Sequence, residues 1–141
     1  MTEAQSIELI SATFASRWPL VAPGVPFALE NEALPHADSF VLLVVATTTS
    51  RTTTQGAKHQ RRVQRDGWIE VKTWSPANEG RRGAAVLVDA VRQALELVDL
   101  PSPVLDDESV TTFASVTQPL GTDGRWYMQL VRIPFWYVNR A

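Results

Sequence analysis

The stretch GRWYMQLVRIPFWYVN (residues 124–139) constrains the fold more than any other part of the chain. Its alternating side chains form two faces that are both largely apolar: Trp126, Met128 and Leu130 on one, and Tyr127, Gln129, Val131 and Ile133 on the other. Neither face of such a strand is suited to contact with water. We therefore predict that the strand lies in the middle of a sheet or beneath a partner.

Pro134 interrupts this strand, and proline cannot donate a hydrogen bond to a neighbouring strand. We predict that beyond Pro134 the chain lies at a sheet edge or leaves the sheet. Some of Phe135, Trp136 and Tyr137 should then be exposed. Exposed aromatic side chains beside Arg132 have the composition of a protein–protein interface, so we expect a docking surface here.

Two other stretches have the periodicity of amphipathic helices. Thr2 and Gln5 stand at the spacing of a capping box at the start of the first helix, and Pro19 should end it. The apolar stripes that should face the core are Ile7, Ile10, Phe14 and Trp18 in the first helix, and Leu87, Val91, Leu95 and Val98 around the second.

The remaining apolar segments predict strands. Residues 39–50 (SFVLLVVATTTS) are β-branched and almost continuously apolar, which predicts a central strand buried on both faces. Residues 68–74 alternate, with Ile69, Val71 and Thr73 on one face. Gly67 just before them indicates a bulge or a close backbone approach. A short extended piece at residues 25–35 and a GTDG hairpin before the last strand complete the set.

The predicted order of elements is α-β-β-β-α-β-β. Because helices and strands do not alternate strictly, this order favours an α+β fold with a mostly antiparallel sheet and two helices packed on one face. A chain of 141 residues with 45% hydrophobic and 20% charged residues is typical of one globular domain, here residues 1–141. The N-terminus lacks a signal-peptide pattern and the longest apolar run is too short for a bilayer, so we expect a soluble cytosolic protein without a membrane partner.

The inventory of reactive residues argues against catalysis and against a bound cofactor or metal. The chain has no cysteine, and neither His36 nor His59 has a partner at metal-ligand spacing. The acidic trio at residues 106–108 could hold Mg²⁺, but such a trio is more typical of a solvated strand start. Residues 78–85 (NEGRRGAA) could bind an anion at a helix start, but the P-loop pattern is absent. We expect a protein that is not an enzyme and has no cofactor.

A basic segment is the sharpest local charge feature. Between residues 51 and 65 there is no acid, and the cations are Arg51, Lys58, Arg61, Arg62 and Arg65. They could meet phosphates in a small nucleic-acid-binding module, although the loop has no aromatic residue for stacking. They could instead be a solvated edge that prevents edge-to-edge pairing, or contact an acidic protein neighbour. Residues 47–60 are polar and Thr-rich, so we expect a long loop that becomes ordered on assembly.

Three stretches together resemble the tail terminator (tail completion) proteins of long-tailed, lambda-like phages. They are ALENEALP (residues 28–35), GWIEVKTWSPANEGRRGAA (67–85) and RWYMQLVRIPF (125–135). They follow one another in the order of that family, which has a Glu-Asn element after the first helix, a Gly-led strand running into a turn and helix, and a terminal strand ending in Ile-Pro and an aromatic. The long loop and the residues after the terminal IPF depart from the family pattern.

The resemblance implies a structural virion protein. Its subunits would form a sixfold ring on the last ring of the tail tube, stop tube growth and offer a surface to the head-completion or connector protein. Genomic DNA would only pass through the lumen, and the protein would lie at the head-proximal end of the tail after synthesis in the bacterial host. The residues expected to contact other subunits or the tube are Arg51, Lys58, Arg61, Arg62, Arg65, Arg132, Phe135, Trp136 and Tyr137.

Overall fold

The computed structural model describes residues 1–35, 37–52, 62–105 and 108–140. The helices are α1 (Glu3–Val21) and α2 (Gly80–Leu95), the latter preceded by a single 3-10 turn at Ala77–Glu79. The strands are β1 (Phe27–Leu29), β2 (Phe40–Thr52), β3 (Arg62–Pro76), β4 (Asp99–Pro101), β5 (Ser109–Thr112), β6 (Val116–Asp123) and β7 (Trp126–Arg140).

The described strands form one seven-stranded sheet in the order β1-β2-β3-β7-β5-β4, with β6 also paired to β7. The β1–β2 pair is parallel and the other pairs are antiparallel. The predicted α+β class and order of elements are confirmed. The strand expected before the last one is divided into β5 and β6, which pair with different halves of β7, and the short β4 was not predicted.

The helices begin as the sequence indicates but differ in detail. The capping box of α1 is present, with Thr2 Oγ1 accepting from the Gln5 N–H at 3.2 Å. Pro19 does not end α1, because the last turn closes through the Ala22 N–H and the Trp18 carbonyl at 2.9 Å. Ile7 lies at the margin of the stripe and is exposed. The other stripe residues within the two helices are buried: Ile10, Phe14, Trp18, Leu87, Val91 and Leu95.

The core lies between the helices and one face of the sheet. The alternation predicted for β3 is confirmed, since Ile69, Val71 and Thr73 are all buried beneath the helices. The neighbouring strands add the residues that share this face, which are Val41, Leu43, Val45, Val131, Ile133, Phe135 and Tyr137. Within the described residues, no helix has both the length and the apolar character needed to cross a bilayer.

The chain does not leave the sheet after Pro134, and β5 pairs with the next two residues, so the predicted edge is found in the described strands only beyond Trp136. β7 stays paired to β3 from Trp126 to Arg140. The Pro134 carbonyl accepts from the Phe113 N–H at 2.9 Å, and the N and O of a residue in an antiparallel strand point to the same neighbour. The nitrogen of Pro134, which carries no hydrogen, therefore faces the junction between β5 and β6. No hydrogen bond between β3 and β7 is lost.

The prediction that β2 is buried on both faces is wrong. Both described helices pack on the same face of the sheet, so Leu42 and Val44 on the other face are only half-buried and Ala46 is exposed. Residues 47–52, the first part of the loop predicted at residues 47–60, instead continue β2 past an irregularity between Thr47 and Thr49. The rest of that predicted loop lies outside the described residues.

Candidate protein interface

The sheet face opposite the helices is the main candidate surface, and we call it the open face. Strand register and alternation bring its members together from β2, β3 and β7. The open face consists of Leu42, Val44, Ala46, Trp68, Glu70, Lys72, Leu130, Arg132, Pro134 and Trp136. No described element packs across its centre. An apolar surface that the described elements leave uncovered is characteristic of an interaction site.

One end of this side of the sheet is closed by the protein itself. The Phe40 ring stacks on Trp74 with centroids 4.6 Å apart and meets Trp126 edge-on at 5.7 Å. The Trp126 Nε1–H donates to the Ala37 carbonyl at 3.3 Å, which holds the segment before β2 over the cluster. Phe40 and Trp74 are therefore buried, whereas the centre of the open face is not.

Cations lie over two tryptophans on this side of the sheet, Trp68 in the open face and Trp74 at its closed end. The Arg132 guanidinium is 4.5 Å from the centroid of Trp68, and Lys72 Nζ is 4.8 Å from that of Trp74. Arg132 Nε also lies 3.2 Å from Glu70 Oε1, close enough for an ion pair but without the alignment of a hydrogen bond. These cations shield the aromatic rings from water while keeping their own charge solvated.

The structure divides the predicted interface residues into four groups. Arg132 and Trp136 lie on the open face, half-buried and accessible. Phe135 and Tyr137 are each only 1% exposed, because β7 continues in the sheet and alternation turns these two side chains towards the helices. The expectation that they form an exposed docking surface is therefore wrong. Lys58 and Arg61 lie outside the described residues.

The remaining predicted cations lie on paired strands rather than in a loop. Arg51 Nη2 donates to Gln64 Oε1 at 3.1 Å, and Arg65 Nη1 donates to Ser50 Oγ at 2.6 Å. Arg65 also lines a polar cleft of about 340 Å³ beside the start of α1. Arg62 is exposed at the start of β3. Cross-strand bonds orient Arg51 and Arg65, and the contact of all three cations with protein, nucleic acid or solvent stays a prediction.

Sequence reasoning missed most of the open face. Leu42 and Val44 were assigned to a strand covered on both faces, Leu130 was assigned to the middle of a sheet or a position beneath a partner, and Trp68 and Lys72 received no role. One signal was available: two strands apolar on both sides require a cover on each side, whereas the sequence predicts helices for one side. An apolar strand face for which the sequence predicts no helix is that signal.

The described residues give little support to metal or anion binding. They contain no group of three or more His, Cys, Asp and Glu side chains arranged to hold a metal. The residues singled out for metal chemistry at positions 36, 59, 106 and 107 lie outside the described ranges. Beside the start of α2, a cleft of about 510 Å³ is lined by Asp38 and Glu79 as well as Arg125, and the two carboxylates disfavour an anion there.

Comparison with known proteins identifies the fold. No protein family and no curated protein matches the sequence. A solved protein designated only by a sequence identifier superposes with a TM-score of 0.61 at 20% identity, over 94% of each chain. A chain from the virion of a native gene transfer agent particle superposes with a TM-score of 0.52 at 14% identity, over 94% of this chain and 92% of that one. The protein thus has the same fold as a virion subunit of a gene transfer agent.

Proposed function

We propose that this protein is a structural subunit of a phage-like virion. The observation that carries the proposal is the fold shared with a chain of the gene transfer agent virion over nearly the full length of both. An open apolar sheet face is what a subunit that assembles with other proteins requires. The partners we propose are therefore other virion proteins, including further copies of this chain.

Within the virion, we assign the protein to the tail terminator position. The support is the resemblance of three sequence stretches to terminators, which lie in β1 and its following turn, in β3 with the start of α2, and in β7. In this role a sixfold ring caps the tail tube, ends its polymerisation and presents a surface to the head connector.

The experiment combines the purified protein with the tail-tube protein of the same phage or prophage. Light scattering of the protein alone should report its oligomeric state, and electron microscopy should show rings on the tube ends. Polymerising tube protein should give shorter, capped tubes as the terminator concentration rises. Unchanged tube lengths and bare tube ends at saturating concentration would contradict the terminator role.

We further propose that the protein acts without catalysis and without a resident metal. The support is the composition of the chain, which has no cysteine and two histidines. Elemental analysis of carefully purified protein tests this part. Stoichiometric Zn²⁺ or Mg²⁺ whose removal abolishes folding or tube capping would overturn it.

A further inference from the structure

We propose that the open face is covered by the outer surface of α2 from a second copy of this chain, so that each subunit places its α2 on the sheet of the next. This inference rests on the proposed ring and names the surfaces that build it. The open face is defined above. The outer surface of α2 consists of Arg82, Gly83, Val86, Asp89 and Gln93.

The first argument is that the open face has apolar side chains where a solvent-facing sheet carries polar ones. Leu42 and Val44 lie in β2 and Leu130 in β7, the two strands that flank β3, and register places Leu42 and Leu130 on either side of Lys72. This arrangement leaves two leucines with a single cation between them. The surface that covers it must therefore combine apolar atoms with a carboxylate.

The second argument is that the outer surface of α2 has that combination. Val86 is 65% exposed although it is a β-branched apolar residue in a helix whose other side is buried. Its neighbours one turn away are Gly83 and Asp89, and the Asp89 side chain is 74% exposed. The valine and the aspartate both point outwards.

The third argument is charge complementarity. Among the described residues Lys72 pairs with no carboxylate and rests on the Trp74 ring. Asp89 makes one weak intrahelical contact, with its Oδ1 3.6 Å from Arg92 Nη1. Docking Val86 between Leu42 and Leu130 would bring Asp89 to Lys72. An ion pair between Lys72 and Asp89 in a partly desolvated interface would fix how the two subunits align and would disfavour other partners.

The fourth argument concerns symmetry. The outer surface of α2 and the open face lie on opposite sides of one subunit, so a contact between them joins unlike surfaces. Such a head-to-tail contact repeats from subunit to subunit and closes into a ring when the rotation fits. Contact between two open faces would instead end at a dimer.

Disulfide trapping distinguishes these arrangements, because the chain has no cysteine of its own. We would prepare Val86→Cys and Leu130→Cys separately, and Leu20→Cys as a control on the outer side of α1. Oxidising a mixture of the first two should trap a covalent dimer at least ten times faster than a mixture of Leu20→Cys with Leu130→Cys. A chain carrying both Val86→Cys and Leu130→Cys should give a ladder that ends at the ring size.

Two outcomes would overturn the inference. Rapid trapping of Leu130→Cys with itself would show that open faces pair with each other. Equal, slow trapping in every mixture, while the protein still forms rings and caps tubes, would show that another surface joins the subunits and would leave the proposed function standing. Rapid trapping of the mixed pair in a protein that never caps tubes would support the contact and reject the terminator role.

A charge exchange provides an independent test. Lys72→Glu and Asp89→Lys should each weaken subunit association at least tenfold in sedimentation velocity experiments, and the double variant should recover most of it. Glu8→Lys, which makes the same acid-to-lysine change on the exposed side of α1, serves as the control and should have a small effect. Failure of the double variant to recover association, with both single variants folded, would contradict the Lys72–Asp89 contact.

Discussion

Glu96 fastens the end of α2 to the junction between β5 and β6. Its Oε2 accepts from the Ser115 hydroxyl and from the Ser115 N–H, the latter at 2.8 Å. Arg92 reinforces the site by donating from Nε to Ser115 Oγ at 3.0 Å. The Ser115 hydroxyl bond, followed by the backbone bond and the charge of Arg92, holds the pKa of Glu96 below its ordinary value of 4.5, although partial burial opposes them.

A lowered pKa makes the stabilisation by Glu96 dependent on pH. The folded state binds this proton more weakly than the unfolded state, so the contribution is fully present above about pH 4.5 and is lost as the pH falls through the lowered value. Glu96→Gln should reduce the free energy of unfolding by about 1 to 2 kcal/mol at neutral pH. Urea unfolding of the unsubstituted protein and of Glu96→Gln should show that their difference in free energy of unfolding becomes smaller in acid. Glu8→Gln, on the exposed side of α1, should show no comparable effect, and a constant difference across the pH range would contradict the assignment.

The predicted close backbone approach at Gly67 is confirmed. A Cβ at this position would lie far inside van der Waals contact of the Ala46 carbonyl oxygen and the Phe135 ring. Backbone and a buried ring cannot move aside easily, so Gly67→Ala should reduce the free energy of unfolding by about 3 kcal/mol. Gly83→Ala is the matched control, because its new methyl meets the flexible Glu79 side chain and favours the helix. Equal thermal midpoints for the two variants would contradict the packing described here.

At the scale of elements, neighbouring residues of β7 have different roles, because one side of the strand packs in the core and the other lies on the proposed assembly surface. Phe135 faces the helices and is buried, whereas its neighbour Trp136 is half-buried on the open face. Phe135→Ala should cost about 3 to 5 kcal/mol of folding stability. Trp136→Ala should cost much less in the isolated subunit but weaken assembly by about 2 kcal/mol or more, because interface aromatics contribute most strongly. Denaturant unfolding and sedimentation of both variants test this, and equal losses of folding stability would place Trp136 in the core.

At the scale of the whole molecule, the cations of β2 and β3 test how the protein meets its neighbours. Replacing Arg51, Arg62 and Arg65 with Glu should change subunit stability little, because exposed charges contribute weakly. If these residues face an acidic protein surface, the variant should fail to cap tubes, and electron microscopy should show tubes of uncontrolled length.

The same triple variant separates the alternatives. Normal capping combined with loss of a salt-sensitive affinity for DNA would indicate phosphate contacts instead. No change in either tube length or a DNA titration at two salt concentrations would identify a solvated edge. Normal tube lengths with the triple variant, whatever its affinity for DNA, would contradict a docking role for these three arginines.

Local periodicity by itself determined much of this protein. The capping box at Thr2 depends on neighbours within a few residues, and the alternation around Val71 depends on the pleat of a single strand. These features predicted the order of elements and the α+β class. They also identified which side chains of β3 share the core face.

Long-range packing decided the rest. Pro134 remains inside the sheet because its missing N–H faces a junction between two strands distant from it in sequence, and no local pattern specifies that junction. That continuation buries Phe135 and Tyr137 and leaves Trp136 on the open face. The open face itself exists because both helices pack on the same side of the sheet. A strand's sequence can require burial on both faces, but which elements supply each cover is determined only when the sheet and the helices come together.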